Sequence, residues 1–214
     1  MTPPNTPTVE SPQSFLVLHG IGNHRPPEHW QFWVSSQLAA AGHQVLYPGL
    51  PDPDAPRYDA WATALEDQLR QMRHVRRTVI CHSLACLLWV SLATEIEHDL
   101  RPARLLLVSP PDPSCVPPAG AEFIRPFSCA AVVGSVTDEL RVVCSDNDPY
   151  NPTGALRMYA ETLSCPVDVL EGAGHITPDS GYGAWPSLES WCLGTTTSLV
   201  TEHLDHAQPS RPRP

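Results

Sequence analysis

A hydroxyl, a carboxylate and an imidazole recur along this chain in an order that suits nucleophilic catalysis: Ser83, then Asp146 or Asp148, then His175. A serine hydroxyl is a poor nucleophile at neutral pH. It needs a base within hydrogen-bond reach and an acid that fixes the tautomer of that base. Ser83 stands in Cys81-His82-Ser83-Leu84-Ala85, with an apolar run before it and a helical pattern after it. That context makes a strand–turn–helix elbow with the serine at its apex. The positions two before and two after such a serine are usually glycine. Here they are Cys81 and Ala85, both small, each adding atoms where strand and helix pass closely. Ser145-Asp146-Asn147-Asp148-Pro149-Tyr150 supplies two candidate acids, and Glu171-Gly-Ala-Gly-His175 carries the imidazole on a glycine loop.

The elements that must position these loops can be read from hydrophobic periodicity. Strands are predicted at 15–18, 43–47, 77–81, 104–108, 141–144 and 167–170. Helices are predicted at 29–41, 58–72, 83–97 and 152–163, with a last one starting near Trp185. Strands alternating with helices imply a mainly parallel sheet of about six strands with helices on both faces. In such sheets the ligand sits beyond the carboxyl ends of the strands, where all three loops fall. Chain order serine, acid, histidine is that of the three-layer α/β-hydrolase fold, which is the fold class expected here. The oxyanion donors expected in that arrangement are the amide of Leu84, just after the serine, and that of Ile21 in the first strand's loop His19-Gly-Ile-Gly-Asn23.

These segments resemble the small serine hydrolases of the retinoblastoma-binding hydrolase and YdeN type. The resemblance rests on His19–Asn23, Trp30 with Trp33, Tyr47-Pro48 with Leu50-Pro51, Trp61, and the turn His82–Leu84. It continues through Leu107–Pro111, Ser145–Tyr150, Gly174–Ile176 and Gly181–Pro186, spanning roughly residues 14–193. It implies a compact fold with a minimal cap and a Ser-Asp-His triad that uses no cofactor. It makes Ser83 the nucleophile, His175 the base and Asp148 the acid, because the family's acid directly precedes the proline. A residue before proline is held extended, which keeps that carboxylate off the following helix. Asp146 is then left to turn or cap duty.

Blander readings compete at each position. Ser83 alone could cap the following helix, and an isolated His175 could be a surface residue. His82 is expected to pack or hydrogen-bond rather than catalyse. His19, His24 and His29 read as a solvated loop, and Cys81 and Cys86 as core thiols, with no metal-ligand spacing among them. Trp185 is a candidate for the substrate pocket because it follows the base by ten residues. Tryptophan at helical spacing is otherwise core.

Composition bounds the rest. The chain has 214 residues, a net charge of −10, and 13 basic residues that are all arginine. Such a balance argues against nucleic acid or an acidic membrane as partner. The longest apolar stretch is interrupted by His82 and Ser83, so no membrane span is expected. The start MTPPNTPTVESPQ lacks the basic and apolar regions of a secretory signal, and a cytoplasmic location is expected. Residues 1–13 and 201–214 read as disordered tails around a single domain at 14–200. The loop Pro110–Pro126, with six prolines in seventeen residues, cannot form a helical cap, so a small lid over a shallow, open pocket is expected. The function this supports is hydrolysis of a small ester, thioester or amide, with a small-molecule acyl substrate as partner. Acyl transfer, cyclisation or elimination at the same site is the alternative in kind. A non-catalytic binding protein on the same scaffold is the alternative in class.

Overall fold

The computed structural model describes residues 11–152, 159 and 161–200. Most of the expected N-terminal tail, all of the expected C-terminal tail 201–214, and most of the helix expected at 152–163 lie outside the described residues. Gln13, placed in the N-terminal tail by the sequence reading, is buried, and its amide donates to His43 Nδ1.

Six strands form one sheet in the order β2-β1-β3-β4-β5-β6, all parallel. They are β1 (Ser14–Leu18), β2 (Gln44–Leu46), β3 (Arg77–His82), β4 (Arg104–Val108), β5 (Glu139–Ser145) and β6 (Val167–Leu170). The α-helices are α1 (Trp30–Ala40), α2 (Tyr58–Gln71), α3 (Leu84–Leu92), the short α4 (Cys129–Gly134) and α5 (Pro186–Cys192). The period-two alternation of the buried strands sends successive side chains to opposite cores. Leu16, Leu18, Val79, Cys81, Leu105 and Leu107 pack with α2 and α3. Phe15, Val17, Ile80, Leu106 and Val108 pack with α1 and α5.

Helix α2 presents Tyr58, Trp61, Leu65 and Leu69 as one buried stripe at helical spacing. Helix α3 is apolar nearly all round and accordingly buried on all sides. It ends at Leu92, five residues short of the expected Glu97, although Ile96 remains buried beyond it. Burying each such large apolar side chain contributes about 1.5–3 kcal/mol. Segment 110–126 forms two 3₁₀ turns, Pro113–Cys115 and Pro118–Phe123, rather than an α-helix. Phe123 anchors it in the core against Tyr58 and Trp61.

The chain leaves β1 toward β2 on one side and returns as β3 on the other. The crevice between the carboxyl ends of β1 and β3 is therefore the topological switch point, where ligands of open parallel sheets bind. No helix among the described residues is long and apolar enough to cross a membrane.

Candidate active site

Ser83 sits directly beyond β3 with φ 55° and ψ −121°. A non-glycine residue held there costs on the order of 1–3 kcal/mol and persists only where its surroundings fix it. Its amide donates to Val108 O at 2.9 Å, and its carbonyl accepts from Cys86 N–H at 2.9 Å. The side chain does not cap α3. Instead Ser83 Oγ lies 2.8 Å from His175 Nε2. Close passage at the elbow is achieved with Cys81 and Ala85 wholly buried. Burial pushes the Cys81 and Cys86 thiols well up, so both are neutral packing groups. Among the described residues no cluster of His, Cys, Asp and Glu is placed to hold a metal ion.

Asp148 completes the chain of hydrogen bonds. Its two carboxylate oxygens lie 3.0 and 2.9 Å from His175 Nδ1, and Oδ1 also accepts from Tyr150 N–H at 2.9 Å. Asp146 points elsewhere, its Oδ1 accepting from Gly172 N–H at 2.7 Å. The two loops are laced together by three further bonds. Asp146 takes Gly172 N–H, Ser145 Oγ takes Ala173 N–H, and Asn147 Oδ1 takes Gly174 N–H. The next pair in that series is Asp148 with the His175 ring. Asp148 and the His175 ring are thus positioned by the same run of bonds.

The backbone around His175 is held from both flanks. His82 Nε2 donates to His175 O at 3.0 Å, and Trp30 Nε1 donates to Ile176 O at 2.8 Å. Ile176 lies at φ 52°, a rare conformation for a β-branched residue. The Tyr150 ring covers the imidazole with its centroid 4.5 Å away.

The first strand's loop approaches the serine at Gly20. A Cβ there would stand 2.7 Å from Ser83 Cβ, so only glycine fits. His19, expected in solvent, is instead wholly buried. Its Nδ1 donates to Gly20 O at 2.8 Å while Nε2 accepts from Leu50 N–H at 2.9 Å. Desolvation lowers its pKa, which suits the neutral tautomer this pairing demands. His29 is also buried rather than solvated; it caps α1 by accepting from Gln31 N–H. Burial first, then His19 and His175, lowers its pKa to about 4. Of the three, only His24 is exposed, beside Asp54 at 3.1 Å. Sequence spacing could not separate them, because the partner that buries His19 lies thirty-one residues away.

A cavity of about 770 Å³ opens over Ser83, within the range of small-molecule sites. The amides of Leu84 and Ile21, both residues lining it, have no acceptor among the described residues. Val116 and Pro117 line it from the 110–126 segment, and Glu28 and Asp179 from the loops before α1 and after β6. None of these four was singled out from the sequence; the lid's apolar residues carried the only legible hint. Trp185 does not reach the cavity. It is wholly buried with its ring against Trp30 and Tyr182, because Pro186 starts α5 immediately after it and turns it into the core.

The family model for serine hydrolases matches residues 15–192. The hydrolase YdeN of Bacillus subtilis (strain 168) is 22% identical over 173 residues, covering 79% of this chain and 89% of that protein. The crystal structure of the ydeN gene product superposes with a TM-score of 0.75 at 20% identity, covering 86% of this chain and 98% of that one. A YdeN-like hydrolase from Pectobacterium atrosepticum gives 0.67 at 19% identity, covering 87% and 92% respectively. These likenesses show the three-layer α/β-hydrolase fold.

Proposed function

Since the chain belongs to the serine hydrolase family, we propose that it cleaves a small ester, thioester or amide through an acyl-enzyme on Ser83. The observation that carries this reading is the continuous hydrogen-bonded series from Ser83 Oγ to His175 to Asp148, at 2.8 and 2.9 Å. Ser83 Oγ attacks the acyl carbon while His175 Nε2 takes its proton. Asp148 holds Nδ1 protonated and stabilises the imidazolium that forms. The carbonyl oxygen, now negative, is met by the amides of Leu84 and Ile21; losing one such donor typically costs about 2.7–4 kcal/mol in the transition state. His175 then gives its proton to the leaving atom as the acyl–leaving-group bond breaks. Water, activated by the same imidazole, releases the acid. Every step uses groups of this chain, and the reading requires no cofactor.

The test is labelling with a fluorophosphonate, read by intact mass, alongside turnover of a short-chain ester. One adduct on the wild type, absent in Ser83→Ala, together with ester turnover lost in the same variant, is the expected result. A folded wild type that takes no adduct and turns over no ester removes Ser83 as nucleophile.

A further inference from the structure

The charge around the cavity is one-sided. Two carboxylates line it, Glu28 and Asp179, both exposed, and neither has an ion-pair partner among the described residues. No arginine lines it among those residues. The nearest candidate, Arg25, is turned away: its Nη1 donates to Tyr47 O at 2.7 Å and the guanidinium lies 5.6 Å from the Tyr47 ring. Two of the four lining histidines, His29 and His82, do not offset the carboxylates. His29 and His82 are held neutral by burial, and His24 sits against Asp54.

The two carboxylates also share a side. Trp30 N–H donates to Tyr182 O at 3.3 Å, which ties the residues after Glu28 to the loop after Asp179. Gly183 lets these two loop segments close up, since a Cβ there would stand 3.0 Å from Glu28 O. This side is continuous with His175 through Thr177 and Pro178, which line the cavity too. The other side is apolar: Val116, Pro117, Leu84 and Ile21. There Gly120 allows Val116 and Leu84 to approach, because a Cβ on it would meet them at 2.9 and 3.2 Å.

Chemistry decides which substrate half goes where. His175 returns its proton to the leaving atom, so the leaving group must lie on the side of His175. From this we propose that the substrate joins an apolar acyl group, seated against Val116 and Pro117, to a cationic leaving group held beside Glu28 and Asp179. The leaving group is an amino or quaternary-ammonium alcohol, thiol or amine. In the step itself the Ser83 Oγ–acyl bond forms, the acyl–leaving-group bond breaks, and the serine proton passes through His175 to the departing atom. A negative cleft with low-dielectric walls raises the local concentration of cations, and more so at low ionic strength.

This inference rests on Ser83 being the nucleophile, so the test separates the two. Two phosphonothioates are compared, identical except that one leaves as a trimethylammonioethyl thiolate and the other as its uncharged 3,3-dimethylbutyl isostere. The quantity read is the ratio of their second-order rates of Ser83 phosphonylation, in the wild type and in Glu28→Gln/Asp179→Asn. Intrinsic differences in leaving-group reactivity cancel between the two proteins. The inference expects the wild-type ratio to exceed that of the double variant by about tenfold or more at low salt, and to fall as salt rises. Adduct formation on Ser83 with equal ratios in the two proteins overturns the inference and leaves the nucleophile in place. A wild type that accepts neither reagent nor a small neutral fluorophosphonate removes the nucleophile, and the inference with it.

Discussion

His82 donates from Nε2 to the backbone carbonyl of His175 at 3.0 Å, so the residue before the proposed nucleophile holds the residue proposed as its base. A carbonyl only accepts, which fixes the Nε2–H tautomer and leaves Nδ1 as a buried acceptor with no partner among the described residues. Protonating Nδ1 would bury an unpaired charge. Burial, followed by the nearness of His175 and His29, accordingly holds this imidazole well below its ordinary pKa. The ring also packs against His175 with centroids 5.1 Å apart. The arrangement makes the end of β3 and the His175 loop one unit.

His82 is then a positioning residue with a separable signature. His82→Ala should lower kcat on a short-chain ester by about three- to tenfold, the worth of one lost hydrogen bond, with KM nearly unchanged. His82→Gln, which keeps a donor at about the same reach, should recover most of the loss. Equal kcat in wild type and His82→Ala, or no difference between the Ala and Gln variants, would show that the ring merely fills space.

Gly20 makes the second contact that constrains Ser83. Its missing side chain leaves 2.7 Å between a would-be Cβ and Ser83 Cβ, and 3.4 Å to His82 O. Ser83 cannot yield, because its own amide is fixed to Val108 O. Gly20→Ala should therefore cost about 1–3 kcal/mol in urea unfolding through overpacking. Fluorophosphonate labelling should slow by at least about a hundredfold, since a 1 Å displacement is enough for that. Labelling at the wild-type rate would mean the loop relaxes freely and does not define the site.

The two acids of one loop make a matched pair of predictions. Asn at 146 still offers an oxygen to Gly172 N–H, so Asp146→Asn should change kcat by no more than about threefold, the small effect of a bond that survives. Asn at 148 offers His175 Nδ1 no charge and favours the wrong tautomer. Asp148→Asn should therefore lower kcat by on the order of 10⁴. A loss of that size in Asp146→Asn, with Asp148→Asn spared, would exchange their assignments.

Much of the fold, and the gathering of the candidate residues, was legible because those residues lie in loops bounded by unmistakable strands. Runs such as Phe15–Leu18 and Leu105–Val108 are apolar on both faces and flanked by glycine or proline, so their ends fell within a residue of the observed β1 and β4. Serine, acid and histidine were placed by that framework together with their order. What stayed hidden depends on register. Arg104, Glu139, Arg141 and Asp168 look scattered in sequence. At the amino ends of β4, β5 and β6 they form a linked ion-pair network with contacts of 2.8–3.0 Å. Arg104 also caps the end of α5, donating to Trp191 O at 2.8 Å and stacking on the Trp191 ring at 3.6 Å. Trp185 misled for a related reason: distance along the chain from His175 said nothing of which face of the sheet α5 would cover.

The buried histidines give the fold an acid-sensitive side. The folded-state pKa of His29 is lowered from 6.5 to about 4, so the unfolded chain binds this proton first as pH falls. Stability from this group is fully present above about pH 6.5 and drains as pH drops toward about 4, by on the order of 3 kcal/mol in all. His29→Asn keeps a side-chain acceptor for Gln31 N–H at the start of α1, since asparagine is a favoured N-cap, but carries no titrating group. Urea unfolding of both proteins at pH 7.5, 6 and 5 measures the difference. The variant should lose about 2 kcal/mol less than the wild type between pH 7.5 and pH 5, reflecting roughly 1.5 pH units below the unfolded pKa. Parallel pH profiles for the two proteins would mean that His29 takes up its proton in the folded state as readily as in the unfolded chain, and that its burial between β1's loop and His82 is not what the imidazole experiences in solution.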